Sequence, residues 1–409
     1  MEKRLILFTK VFPYFPGEDF LEDEIGVLAK TFDRMIIVAT AVPYGSVQRR
    51  SVPENVKVYV LSEVRNKYLK YAKYVFKGIG YLLNKQTKSE LKGKKTKEKL
   101  GIIYFSGRCH SLAKKILKIP ELLDTLKFQD TILYSYWFSD LPYVSVLIKA
   151  YVNNAGLRLV SRAHGYDLYD YRNASGSIPF RKTVMREVNM VYPCSRDGQS
   201  YLTEQYPEYK NKIRTSYLGT KDCGAGDPLR QGNRRIVTCS SIIPLKRVHL
   251  IAEALLELEK MGETVDWICI GGGPLLDEIK KYTEDNLKKS SVTFTGRLLH
   301  AEVLSKLGDS YFDLFLNVSE TEGLPVSIME AISFGIPVLA TDVGGTKEIV
   351  IPGLTGYLLP AETSPKEIAE NILKCFDTAF DRDQIRRFWF ERFNSDNNYR
   401  VFAEEIIQI

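Results

Sequence analysis

The sequence predicts an α/β protein made of two doubly wound, parallel-sheet domains. Three observations lead there. Short apolar runs of strand length recur along the chain, with helical patterns between them. The order strand, loop, helix opens the chain at Leu5 and starts again at Arg235. The chain's 409 residues exceed one ordinary core and suit two of about 200.

Taken in order, Leu5–Thr9 is the first strand and runs into the loop Pro16-Gly17-Glu18. Phe20, Leu21, Ile25 and Leu28 then share one helical face. Met35–Thr40, Val56–Leu61, Thr131–Trp137, Leu157–Ser161 and Val188–Pro193 read as further strands, and Ile213–Leu218 carries the chain toward a polar linker, Lys221–Asn233. Beyond the linker, Arg235–Cys239, Trp267–Ile270, Ser291–Arg297, Asp313–Val318 and Ile336–Ala340 are strands, and His249–Met261 is a helix. The expected divisions are 1–220, 221–385 and an aromatic helical segment 386–409.

Hydrophobic residues make up 44% and charged residues 26%, as in soluble globular proteins. The six cysteines form no C-x-x-C pair, which is free-thiol usage rather than a disulfide frame or a metal site. The apolar run after Met1 is too short for a signal-peptide core, so a cytoplasmic protein is expected. Charge is uneven. Residues 64–100 hold twelve Lys and Arg against Glu90 and Glu98, whereas the whole chain carries only +7. Tyr68, Tyr71, Val75, Ile79 and Leu82 recur there at helical spacing, followed by a lysine-rich tail at 92–99. This insert reads either as an amphipathic helix against anionic lipid, peripheral on the inner face of the membrane, or as a solvated helix with a mobile loop. No nucleic-acid motif accompanies the charge, and no nucleic acid is expected as a partner.

The densest stretch is Ser319–Glu348. A short strand ends at Val318, and a helix should begin at Pro325 and stop at Gly335. With Pro325 as its first residue, Leu324 takes the capping position and offers no side-chain acceptor. The amides of Val326, Ser327 and Ile328 would then be open, with the positive helix end behind them. That arrangement suits a phosphate. Alternatively, water or Thr321 caps the helix and Glu322 and Glu330 are plain surface carboxylates.

Glu322 and Glu330, seven residues apart in the intervening count, are followed by Gly335-Ile-Pro-Val338 and Gly344-Gly-x-x-Glu348. This run resembles the signature of glycosyltransferase family 4, whose members are retaining, nucleotide-sugar-dependent enzymes. The resemblance implies the GT-B fold: two Rossmann-like domains facing across a cleft, with a C-terminal helix returning to the first. The unusual loops all lie at carboxyl ends of strands, where open α/β sheets bind ligands.

The resemblance also implies roles. Glu322 would sit beside the sugar ring, and Glu330 would accept hydrogen bonds from ribose. Lys246 would offset charge on the leaving diphosphate, together with the amides near Val326 and Ser327. Gly17, Gly323, Leu324 and Arg297 would line the nucleotide sugar, as would Gly271 and Gly273 of a Gly-x-Gly-Pro turn. His164, at a strand end before a glycine, matches a histidine that contacts the transferred sugar. The family's usual arginine five residues before the lysine is Ser241 here, so Arg247 or the helix amides would have to compensate. The donor would be a UDP- or GDP-sugar and the acceptor a saccharide or lipid-linked saccharide of bacterial polysaccharide assembly. No cofactor or metal is expected. A catalytically silent GT-B partner subunit is the rival. A two-carboxylate hydrolase is disfavoured by the phosphate-suited helix start, and a nicotinamide enzyme by Leu276 standing where its third glycine belongs.

Overall fold

The computed structural model describes residues 2–14, 17–18, 20–173, 176–229 and 232–409. The chain divides into two compact units, Met1–Tyr217 with Tyr399–Ile409, and Leu218–Asn398. The first contains β1 (Arg4–Thr9), β2 (Arg34–Pro43), β3 (Val56–Glu63), β4 (Ile132–Ser135), β5 (Arg158–Ala163) and β6 (Met190–Pro193), in the order β3-β2-β1-β4-β5-β6. The second contains β7 (Arg234–Cys239), β8 (Val265–Ile270), β9 (Ser291–Gly296), β10 (Leu314–Asn317), β11 (Val338–Thr341) and β12 (Gly356–Leu359), in the order β12-β11-β10-β7-β8-β9. Counted within its own unit, each sheet has the same strand order. All pairings between these strands are parallel, with Leu5 opposite both Met35 and Ile132.

This order has a mechanical consequence. The chain winds outward from β1 to β3, then returns to the other side of β1 with β4, and the second unit repeats this around β7 and β10. Loops leaving β1 and β4, or β7 and β10, therefore diverge at the carboxyl edge and leave a crevice. The strands read as unbroken apolar runs because both faces are covered. Leu5 and Leu7 face one core with Ile37, Tyr134 and Phe402, while Ile6 and Phe8 face the other with Val38, Leu112 and Leu133. In the second unit, Leu314 and Leu316 pack with Leu255, Leu258, Ile368 and Ile372.

The expected terminal segment divides. The helix Arg382–Phe393 belongs with the second unit, and only residues from Tyr399 onward join the first. There Phe402 closes over the buried Arg162 guanidinium, 4.1 Å from its ring centroid, and Arg162 is paired with Glu24 at 3.2 Å. Ile213–Leu218 forms no strand; Ile213 makes an isolated bridge to Val191. Strand β12 was not anticipated.

The basic insert is more ordered than its composition implies. Helices span Lys67–Ile79, Lys85–Leu91 and Thr96–Ile116, so the expected lysine-rich tail is a short turn followed by the first turn of a long helix. Lys67–Ile79 and Thr96–Ile116 cross at two glycines. A Cβ on Gly78 would lie 2.0 Å from the Ile103 carbonyl oxygen, and one on Gly107 would lie 2.0 Å from that of Tyr74. No helix of the described residues is long and apolar enough to cross a membrane.

Candidate functional site

The two units each gather polar groups at the carboxyl edge of the sheet, and the second holds most of the expected residues. Its β10 ends at Asn317, and the helix Val326–Ser333 starts one residue later than the sequence implied, with Pro325 as cap. Pro325 supplies no side-chain acceptor. Its carbonyl takes the amides of Ile328 at 3.2 Å and Met329 at 3.3 Å. Of the three amides expected to be open, Ile328 is thus satisfied. Those of Val326 and Ser327 make no hydrogen bond among the described residues. Leu324 is buried beside them.

Glu322 is nearly buried, and its Oε1 accepts from Lys246 Nζ at 2.6 Å and from Asn317 Nδ2 at 3.3 Å. Its backbone is held from below by the turn after β11. Gly344 has φ +54°, and a Cβ there would stand 2.1 Å from the Glu322 carbonyl oxygen. The Gly345 amide donates to Gly323 O at 2.8 Å. Glycine at 344 is therefore needed to let one loop lie flat against another and set the position of the Glu322 backbone.

Lys246 ends a single turn, Pro244–Lys246, after β7, and its side chain is 22% exposed. Arg247 takes a left-handed conformation, φ 46°. Its guanidinium donates to the carbonyls of Val318 (2.8 Å), Ser319 (3.3 Å) and Ala361 (2.8 Å). Arg247 thus ties the β7 loop to the β10 loop through Nε and one of its two terminal nitrogens. Ser241 itself is exposed. Between the β7 and β10 loops lies a small recess, lined by Cys239, Ser240, Lys246, Asn317 and Ser319 among others.

Glu330 is 6% exposed and its Oε1 lies 2.7 Å from His300 Nε2. His300 begins the helix His300–Gly308 and had no sequence context to mark it. Burial, reinforced by the nearby Glu330 charge, pushes the Cys239 thiol up to about 12, which leaves it unreactive. Gly271 and Gly273 also have a packing role. A Cβ on Gly271 would come within 1.8 Å of Ser240 O, and one on Gly273 within 2.2 Å of Ile242 O. They bring the β8 loop onto the β7 loop. Arg297 is exposed just after β9.

In the first unit, His164 follows β5. Its amide donates to Asp167 Oδ1 at 2.9 Å, and its Nδ1 lies 3.5 Å from Asp167 Oδ2. Its Nε2 is buried with no partner among the described residues. Burial acts to raise the Asp167 carboxyl, but hydrogen bonds from His164 and Phe138 outweigh it and hold it below the usual range. The Tyr136 and Trp137 rings each lie 4.7 Å from the imidazole.

Gly17 has φ +120° and no atom within 4 Å of its Cβ direction, so the conformation, not crowding, selects glycine. Pro16 lies outside the described residues. The organiser of this loop is Glu18, which the sequence reading assigned no role. Its carboxylate accepts the amides of Lys10 (2.9 Å), Val11 (2.8 Å) and Phe12 (2.7 Å), and also Trp137 Nε1. An acidic residue directly after a strand-end loop glycine was the available signal.

Comparison with known proteins bears on both units. Residues 226–387 match the family model described as glycosyl transferases group 1. The phosphatidylinositol N-acetylglucosaminyltransferase GPI3 subunit of Saccharomyces cerevisiae (strain YJM789) is 24% identical over 58% of this chain and 56% of its own. A putative colanic acid biosynthesis glycosyltransferase, WcaL of Escherichia coli (strain K12), is 29% identical over 42% of this chain and 44% of its own. The chain thus spans about half the length of the curated relatives it matches. Among solved structures, Anabaena Alr3699/HepE in complex with UDP and glucose superposes with TM-score 0.67 at 17% identity, covering 100% of both chains. Sucrose-phosphate synthase from Thermosynechococcus elongatus gives 0.72 at 13% identity, covering 100% and 99%. The chain accordingly has the two-domain GT-B fold, its second unit matches the glycosyl transferases group 1, and its relatives are named glycosyltransferases.

Proposed function

We propose that the chain is a retaining glycosyltransferase acting without a metal. It would move a sugar from a UDP- or GDP-sugar to a saccharide or lipid-linked acceptor in bacterial polysaccharide assembly. The observation that carries this reading is the 2.6 Å pair of Lys246 and Glu322 beside the open amides of Val326 and Ser327. A cation and two aimed N–H groups suit a diphosphate, and the carboxylate suits the positive charge that grows on a sugar's anomeric carbon. As the bond from that carbon to the diphosphate breaks, its electron pair leaves with the phosphate oxygen, an acceptor hydroxyl oxygen bonds to the carbon, and the hydroxyl's proton passes to the departing phosphate. Lys246 and the amides would favour that leaving charge. Glu330, oriented by His300, would accept from ribose hydroxyls. His164 would offer its unpartnered Nε2 to the sugar.

The test is release of nucleoside diphosphate from UDP- and GDP-sugars, with and without EDTA. Release that persists in EDTA is expected, and release abolished by EDTA and restored by a divalent ion would refute the metal-free mechanism. A silent partner subunit is the second reading. It is favoured by the exposed Ser241 and by an Arg247 committed to carbonyls. Binding of the nucleotide without turnover would establish it.

We further propose that the helix Lys67–Ile79 rests on anionic lipid, on the side of a cytoplasmic membrane. Tyr68, Leu69, Ala72, Phe76 and Ile79 fall within one 100° sector at the α-helical repeat, and all are exposed. Tyr71, which was expected on that face, instead stacks on Tyr104 at 5.1 Å. Lys73 borders the stripe, as cations do on interfacial helices.

A further inference from the structure

Lys10 leaves β1 at the switch point of the first sheet, opposite the end of β4. Its ammonium donates to Tyr166 Oη at 2.5 Å, and stands 4.6 Å from the Tyr166 ring centroid and 5.4 Å from that of Trp137. An ammonium has three donors, and a half-buried one ordinarily finds a carboxylate. Lys10 has no ion pair among the described residues. The carboxylates near it are occupied elsewhere: Glu18 by three loop amides and the Trp137 indole, Asp167 by His164 and the Phe138 amide. The other charges facing it, Arg108 and Lys70, are cations on the helices Thr96–Ile116 and Lys67–Ile79. Burial lowers its pKa to about 8, further lowered by Arg108 and Lys70 and partly restored by Asp167 and Glu18. The group is thus a desolvated cation that feels Asp167 and Glu18 only at a distance, and among the described residues no anion is paired with it directly.

Its neighbours indicate what would supply that charge. Tyr166 is 43% exposed and Trp137 partly so, with ring centroids 4.9 Å apart. Exposed aromatic faces are apolar platforms with a polar edge, suited to the C–H face of a sugar ring. The imidazole of His164, whose buried Nε2 has no partner among the described residues, lies 4.7 Å from the Trp137 ring.

We propose that Lys10 binds the anionic group, carboxylate or phosphate, of a saccharide acceptor whose ring lies on Tyr166 and Trp137. This rests on the transferase reading above, and extends it by assigning the acceptor's charge.

The test is a saturation-transfer NMR titration of the full chain with methyl β-glucuronide, glucose 6-phosphate and the neutral methyl β-glucoside. One anionic sugar should bind about tenfold or more tighter than the glucoside, the scale of a charge-assisted hydrogen bond, and which one does so identifies the anion. The preference should vanish in Lys10→Met and persist in Lys10→Arg. It should also fall between pH 7 and 9.5 in the wild type, because the ammonium is present below about 8 and lost above it. Equal binding of all three sugars by the wild type would overturn the proposal. So would a Lys10→Met variant that loses UDP or GDP affinity to the same degree, since the anion would then be the donor diphosphate. If no nucleotide sugar binds while the anionic preference stands, the transferase reading fails and the Lys10 site remains.

Discussion

Replacing Lys246 by Met removes the cation from a carboxylate that keeps only Asn317 Nδ2 at 3.3 Å. At 2.6 Å the gross attraction is about 6 kcal/mol at an effective dielectric of 20. Most of that is offset by the cost of drying both groups. Breaking a fully buried pair costs about 3–5 kcal/mol, and the partners here are 22% and 11% exposed, so about 2 kcal/mol is the expected loss. In a unit of this size that lowers the melting temperature by about 4–8 °C. Turnover should fall further, by about 10²–10³-fold, because the same ammonium is assigned to the leaving group. The two effects separate in the double variant Lys246→Met with Glu322→Gln. Removing the stranded charge should recover stability but not activity. Differential scanning calorimetry and nucleoside diphosphate release read the two arms. An unchanged melting temperature and rate in the single variant, or restored turnover in the double one, would refute the reasoning.

Other consequences follow from the same geometry. Glu330→Ala should weaken UDP or GDP binding by about tenfold, the scale of one charge-assisted hydrogen bond, with the fold intact, as read by calorimetric titration. Gly344→Ala forces a Cβ to within 2.1 Å of Glu322 O, so Glu322 must move; turnover should fall by about 10²-fold, with a melting-temperature loss of a few degrees. Phe76→Ser should reduce co-sedimentation with anionic vesicles by about tenfold or more, given the 1.5–3 kcal/mol (about) of burying a Phe side chain, and leave soluble turnover unchanged.

Much of the fold was legible because parallel strands buried on both faces are apolar throughout, and because glycine and proline mark where they end. What escaped had non-local causes. Only the 92–99 part of the basic insert looked like a loose tail, because lysine density dominates local reading there. Its order comes from the crossing at Gly78 and Gly107, which is invisible until two distant helices meet. Strand β12, Gly356–Leu359, begins at a glycine after a turn and is only half-buried in its middle, so no buried apolar run marks it. In the site, Glu322, Glu330 and Lys246 were singled out by resemblance to a family signature, whereas His300 and Glu18 acquire meaning only through partners. Arg247 and the glycines at 271 and 273 were assigned to ligand, and their contacts with main-chain carbonyls, which hold the rim loops together, were not foreseen. A positive side chain or a glycine in a rim loop is as often needed to hold that loop as to touch what binds there.

The most direct measurement is nucleoside diphosphate release from a panel of UDP-, GDP- and ADP-sugars by the purified chain, beside Lys246→Met. The expected result is saturable turnover of a UDP- or GDP-sugar, reduced about 10²–10³-fold by the substitution. Absence of binding to every donor, or turnover that Lys246→Met leaves untouched, would contradict the assignment of the Lys246–Glu322 rim to the donor.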